Sequence, residues 1–299
     1  MKYVITLIGN PARRDVDEDV AAEAAETLRA AGAAPGAAEW LATSIACDLP
    51  FDGIGPEAAD AAVRRALEGR PVDIVAQPAE GRRKELLIAD MDSTIITVEC
   101  IDELADFAGK RAEISAITER AMRGELDFEA ALRERAAMLN GLPETAMAAA
   151  FEQRVALTPG ARTLVMTMRA AGAYTALVSG GFDYFTARVK QLAGFDMDRA
   201  NSLDVADGRL TGRVAEPILG RTAKLETLKR LIAERGLPAT AVLAVGDGAN
   251  DLDMIRAAGV GVAYHAKPIV AAAAGARIDH GDLTALLYLQ GYRAADFVE

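Results

Sequence analysis

Four short, unbroken apolar runs constrain the fold of this chain more than any other feature. They are Leu86-Leu87-Ile88-Ala89, Tyr174-Thr175-Ala176-Leu177-Val178, Ala241-Val242-Leu243-Ala244-Val245 and Val260-Gly261-Val262-Ala263. A run this short and apolar throughout suits a strand buried on both faces, as in a parallel sheet covered by helices. Helical patterns separate the runs, so the expected fold class is α/β with a doubly wound parallel sheet. Residues 98–157 break the alternation. They are charged and helical without a strand run, and read as a helical insertion after the first strand, where a cap would sit.

Residues 1–80 follow another pattern. Strand-like stretches at 2–8, 40–48 and 72–76 alternate with helical ones at 17–31 and 57–67, the first helix closed by Gly32. This is a small α/β unit of three strands. Residues 77–84, Gln-Pro-Ala-Glu-Gly-Arg-Arg-Lys, are polar and aperiodic and read as a linker. The expected division is therefore 1–80 and 81–299, the second part carrying the helical cap at about 98–157.

The formal net charge is −11. A uniformly acidic surface repels the nucleic-acid backbone and anionic membranes, so neither is expected as a partner. Any phosphate site must build its own local positive charge. The two cysteines, Cys47 and Cys100, lie far apart, which argues against a disulfide framework and suits a reducing cytoplasm. The apolar start is interrupted by Gly9-Asn10-Pro11 and is too short for a signal peptide. No stretch approaches the ~18 apolar residues of a membrane span. The expectation is a soluble cytoplasmic protein.

Chemistry gathers where the runs end. Asp90-Met91-Asp92-Ser93-Thr94 follows the first run, and Gly246-Asp247-Gly248-Ala249-Asn250-Asp251 follows the third. In open α/β sheets, ligands bind outside the carboxyl ends of the strands. Acids crowded there repel one another, and a hard cation such as Mg²⁺, bound through oxygens, would hold them together. Asp, Gly and Asn also fill ordinary turns, so either cluster alone would be turn chemistry. Ser179-Gly180-Gly181 ends the second run before a helix start, whose amides bind anions well. Lys224 can bring a positive charge. What carries weight is the order: acid pair, hydroxyl, lysine, acid cluster.

That order resembles the haloacid dehalogenase superfamily of phosphotransferases, whose motifs are Asp-x-Asp-x-Thr, Ser or Thr, Lys, and Gly-Asp-x-x-x-Asp. A closer resemblance is to the phosphoserine phosphatase family, carried by Asp90-Met91-Asp92-Ser93-Thr94, Glu99-Cys100-Ile101-Asp102-Glu103, the cap stretches 118–124 and 128–135, and Ser179-Gly180-Gly181-Phe182. It covers residues from about Glu85 onward. The first 80 residues resemble ACT-like domains, loosely, since an ACT fold needs four strands.

The resemblance implies a Rossmann-like sheet with a helical cap, and Mg²⁺-dependent hydrolysis of phosphoserine as the last step of serine biosynthesis. It makes Asp90 the nucleophile and Asp92 the general acid and base, protonated at the first step because nearby negative charge raises its pKa. Asp90 and Asp247 would hold Mg²⁺ through side chains and Asp92 through its carbonyl, with Asp251 in support. Ser179 and Lys224 would hold the phosphoryl oxygens. Glu99 would meet the substrate ammonium and Arg135 its carboxylate, with Met122 and Phe128 as apolar wall and Gly180 and Asn250 as amide contacts. Two other readings stand beside this one: transfer of the phosphoryl group to another hydroxy amino acid such as homoserine, and a phospho-acceptor switch like a receiver domain. Asp92 and the cap weigh against the switch. A homodimer and an amino-acid effector at residues 1–80 are left open.

Overall fold

The computed structural model describes residues 1–122, 125–220 and 222–299, with the backbone alone at 121 and 122. The chain forms two compact units, one of Met1–Leu87, Pro159–Thr175 and Gly236–Glu299, the other of Ile88–Thr158 and Ala176–Arg235.

The N-terminal sheet consists of β1 (Tyr3–Ile8), β2 (Ala34–Pro35), β3 (Glu39–Ala42), β4 (Ala46–Asp52) and β5 (Asp73–Pro78). Its order is β2-β4-β1-β5, with β3 on β4. All its pairings are antiparallel. The helix Glu18–Ala30 starts where the Asp17 side chain accepts the Val20 N–H, and it buries Val20, Ala21, Ala24, Ala25 and Leu28 along one face. The helix Pro56–Ala66 begins on a proline, whose missing N–H costs nothing in a first turn. Both pack on the Ile5, Leu7, Leu49 and Phe51 side of the sheet.

Two expectations for this region need correction. The stretch 40–48 is not one strand but part of a hairpin, β3 to β4, turned by Ser44 at φ +61. With β2 the sheet has five strands rather than three. The supposed linker is also tied down. The Gln77 side chain donates to Leu289 C=O at 2.6 Å. Arg82 grips the Asp48 carboxylate with both Nη atoms, at 2.6 and 3.0 Å, and Lys84 Nζ donates to Thr240 C=O at 2.9 Å. Beside them, the buried Asp73 carboxylate accepts the consecutive backbone N–H groups of Asp279, His280 and Gly281, the shortest at 2.7 Å.

The other strands are β6 (Leu86–Ala89), β7 (Tyr174–Phe182), β8 (Met197–Asn201), β9 (Leu203–Ala206), β10 (Arg209–Val214), β11 (Val242–Gly246), β12 (Val260–Tyr264) and β13 (Ala276–Ile278). Six of them form a sheet in the order β13-β12-β11-β6-β7-β8, while β9 and β10 make a separate hairpin. The pairs β7–β8, β11–β12 and β12–β13 are parallel. The four apolar runs are β6, β7, β11 and β12, and every residue of β6 and β11 is buried. Residues 98–157 hold the helices Cys100–Phe107, Arg111–Met122, Phe128–Ala137 and Thr145–Arg154, with no strand among the described residues. No helix is long and apolar enough to cross a membrane among the described residues.

Candidate active site

The loop after β6 turns sharply to carry its two acids. Ser93 takes a left-handed conformation, φ +55, which a serine adopts at some cost. The turn is closed by Ile96 N–H on Met91 C=O at 3.0 Å and Ser93 N–H on Val98 C=O at 3.3 Å.

Asp90 is buried, and its Oδ1 accepts the Met91 N–H at 2.7 Å. The same oxygen lies 2.6 Å from Lys224 Nζ, also buried. Lys224 stands in the first turn of the helix Ala223–Arg235, where the helix dipole disfavours a cation. A lysine kept there, desolvated, is stabilised by the Asp90 carboxylate, and removing either partner would strand the other charge.

Asp92 is oriented from both sides. Its Oδ1 accepts the Cys100 N–H at 2.9 Å and its Oδ2 accepts the Ser179 hydroxyl at 3.1 Å. Ser179 Oγ in turn accepts the Gly181 N–H at 2.8 Å. Burial, and then the negative charge of Glu99, push the Asp92 carboxyl up to about 6, against the pull of Cys100 and Ser179. The sequence pointed to neighbouring charge as the cause; desolvation is the larger one.

The two glycines after Ser179 lie at close approaches to other side chains. A Cβ on Gly181 would lie 3.0 Å from Asp92 Oδ2, and one on Gly180 would lie 2.9 Å from the Phe128 ring. Phe128, at the start of its helix, is thus brought against the Ser179 loop. Glu99 Oε1 accepts the Ser93 hydroxyl at 2.6 Å. Arg135 donates from Nε to Ala131 C=O at 3.3 Å. Burial lowers the Arg135 pKa, while the charges of Asp102, Glu99 and Asp92 support its charged form. The Met122 side chain, expected in the pocket wall, lies outside the described residues.

The acid loop after β11 is built just as tightly. Asp251, fully buried, accepts the Gly248 N–H at 3.0 Å. A Cβ on Gly246 would lie 2.3 Å from Asp251 Cγ, so only glycine fits there. Asp247 C=O accepts the Lys267 N–H at 3.3 Å, and Asn250 is half-buried. On this loop Asp247 and Asp251 each offer a carboxylate oxygen. Anionic oxygen donors suit a hard divalent cation better than a soft one.

Residues 87–256 match the family of haloacid dehalogenase-like hydrolases. The chain belongs to this family. It is 38 % identical over 290 residues to a phosphoserine phosphatase of Streptomyces coelicolor, covering 97 % of this chain and 70 % of that one. Its fold is similar to that of a haloacid dehalogenase-family hydrolase from Salmonella enterica serovar Typhi, with TM-score 0.83, 30 % identity, and 96 % and 98 % of the two chains covered. It is also similar to a phosphoserine phosphatase solved as an analogue of the phospho-aspartyl intermediate, with TM-score 0.64, 39 % identity, and 69 % of this chain and 98 % of that one covered.

Two contributors to this hydrolase site escaped the sequence reading. One is the Cys100 N–H, a backbone group whose identity no motif records. The other is Asn201, at the end of β8, whose side chain bonds to the main chain of the Ser179 loop. An asparagine in an unremarkable stretch carries no signal of that kind.

Proposed function

We propose that this chain is a phosphoserine phosphatase, hydrolysing O-phospho-L-serine to L-serine and phosphate at the end of serine biosynthesis. The observation that carries the reading is the pair of acids after β6: Asp90 paired with a buried lysine, and Asp92, two residues on, holding its proton more tightly than an ordinary carboxyl.

In this reading an Asp90 oxygen attacks phosphorus as the bond to the seryl oxygen breaks, and the proton on Asp92 passes to that oxygen. Asp92, now a carboxylate, takes a proton from the water that attacks the aspartyl-phosphate, releasing phosphate and restoring Asp90. Ser179 and Lys224 hold the equatorial phosphoryl oxygens, the positioning and charge stabilisation on which phosphoryl transfer depends. A Mg²⁺ ion held by Asp90, Asp247 and the Asp92 carbonyl, with Asp251 supporting, would neutralise charge on the transferring group. Glu99 receives the substrate ammonium and Arg135 its carboxylate, where a planar guanidinium fits two oxygens. Phe128 walls the pocket, and Gly180 and Asn250 contribute amides.

We further propose residues 1–80 as an ACT-like domain, 81–299 as the phosphatase domain with its cap at about 98–157, and a cytoplasmic setting. Both cysteines are free and buried, in keeping with a reducing compartment. The test is phosphate release from a panel of phosphorylated amino acids and sugars, with Mg²⁺ and with EDTA. Phosphoserine should be hydrolysed fastest, and EDTA should remove at least 95 % of the rate, on the order of what loss of an essential cation gives. Equal rates across the panel would sink the substrate assignment.

A further inference from the structure

Asn201 is a buried side chain of the second unit, 3 % exposed, placed where two loops of that unit meet. Its Nδ2 donates to Gly180 C=O at 2.9 Å and to Leu219 C=O at 3.4 Å, and its Oδ1 accepts the Leu219 N–H at 2.7 Å. The side chain therefore bonds through both polar atoms, always to main chain. Gly180 follows Ser179 directly. Leu219 lies five residues before Lys224, in the segment that leads into the lysine's helix.

We infer that Asn201 is a positioning residue for phosphoryl transfer, setting Ser179 and Lys224 at once. The first route runs through a single peptide plane. The Gly180 carbonyl held by Asn201 and the Gly181 N–H belong to the same rigid amide, so fixing one direction fixes the other. That N–H is the donor to Ser179 Oγ, and Ser179 is the hydroxyl that donates to Asp92. Rotation of the Gly180–Gly181 peptide would swing the Gly181 N–H away from Ser179. Two glycines in succession offer little resistance to such rotation, so a restraint from outside the loop is needed.

The second route holds the approach to Lys224. Leu219 is clamped at both its N–H and its C=O, so this part of the segment cannot slide along β8. The same strand grips the helix further along: Arg199 donates to the Thr227 hydroxyl at 2.7 Å, which donates to Ala223 C=O at 2.7 Å. The two groups assigned to the phosphoryl oxygens thus depend on one buried amide that itself touches neither substrate nor cation.

This inference rests on the phosphatase reading, and the experiment separates the two. Asn201→Asp keeps the shape and the acceptor for Leu219 N–H, and sets an oxygen against Gly180 C=O where a donor stood. In the full chain with Mg²⁺ and phosphoserine, kcat/KM should fall roughly tenfold to hundredfold, the range a small misplacement of reacting groups produces. The inhibition constant of inorganic phosphate should rise as kcat/KM falls. Inhibition by L-serine, whose charged groups are held by Glu99 and Arg135 and which meets the loop only through the Gly180 amide, should weaken at least about fivefold less than inhibition by phosphate, a discrimination that loss of stability alone would not produce. Asn201→Ser, which is smaller and still polar, is measured in parallel. An inactive wild-type chain would defeat the phosphatase reading. An active wild type beside folded variants with unchanged phosphate inhibition, or weakening of both inhibitors alike, would overturn the role of Asn201 alone. Failure of both variants to fold would overturn it too, leaving Asn201 a structural residue.

Discussion

Asp73 and Asp92 are both carboxylates drawn out of water, and they are surrounded in different ways. Asp73 meets three consecutive backbone N–H groups, those of Asp279, His280 and Gly281. Asp92 meets one backbone N–H, the hydroxyl of Ser179, and the like charge of Glu99. Burial raises the proton affinity of both. The amides around Asp73 are fixed dipoles with nothing to exchange, and they hold two parts of the chain together. Most of the groups around Asp92 are side chains, and its pKa of about 6 lets it give and take a proton near neutral pH. Burial is common to both carboxylates; the kind of partner sets them apart.

The contrast can be broken most sharply at Asp90, the nucleophile of the proposed scheme. Asp90→Asn keeps an oxygen for the Met91 N–H and for Lys224 but removes the charge that stabilises the buried lysine, so it should fold with reduced stability, read in urea unfolding, and is assayed as folded protein. Its turnover of phosphoserine should drop by at least about 10³-fold, the order expected when a covalent step is lost. Phosphate release under single-turnover conditions measures this, and near-normal turnover would refute the covalent scheme. The opposite pattern is expected at the structural carboxylate. Asp73→Ala leaves a row of buried N–H groups without their acceptor and should cost about 3 kcal/mol of stability, read in urea unfolding, while kcat changes less than about threefold. Loss of kcat with stability intact would erase the distinction between the two sites.

The smallest effect concerns pH. A carboxyl whose pKa is higher in the folded state than unfolded binds more protons when folded, so it lowers stability as pH rises between the two values. For Asp92 that window runs from the ordinary value of 3.8 to about 6. In EDTA, Asp92→Asn should therefore gain stability relative to the wild type as pH rises through this window, by on the order of 2 kcal/mol after allowance for partial exposure. A difference independent of pH would show that Asp92 titrates normally.

The parts of the molecule legible in the sequence are those whose pattern is local. The runs that became β6, β7, β11 and β12 are apolar at nearly every position because both faces are covered, and the acids and the Ser179 hydroxyl follow directly from their ends. The hairpin β3–β4 was hidden because its turn, around Ser44, lacks the glycine, asparagine or proline that usually marks one. The strand β8 was missed because most of it is only partly buried and its composition is mixed. Residues 77–84 looked like a linker for a related reason: polar side chains bonded to main chain some two hundred positions away look locally the same as polar side chains in water. Asn201 is the same case within the site.

The clasp at Asp73 also sets an order of events in the chain's assembly. Asp73 and Gly281 stand 208 positions apart. On a ribosome, chain emerges at roughly 5–20 residues per second, so the acid waits on the order of ten seconds or more for its amides. During that interval the N-terminal sheet and its two helices can form from their own neighbours, but the carboxylate of β5 stays hydrated and the seat for Arg82 and Gln77 stays open. The N-terminal region is thus made early and fastened late, and a nascent chain stalled before residue 279 would present this edge unclosed.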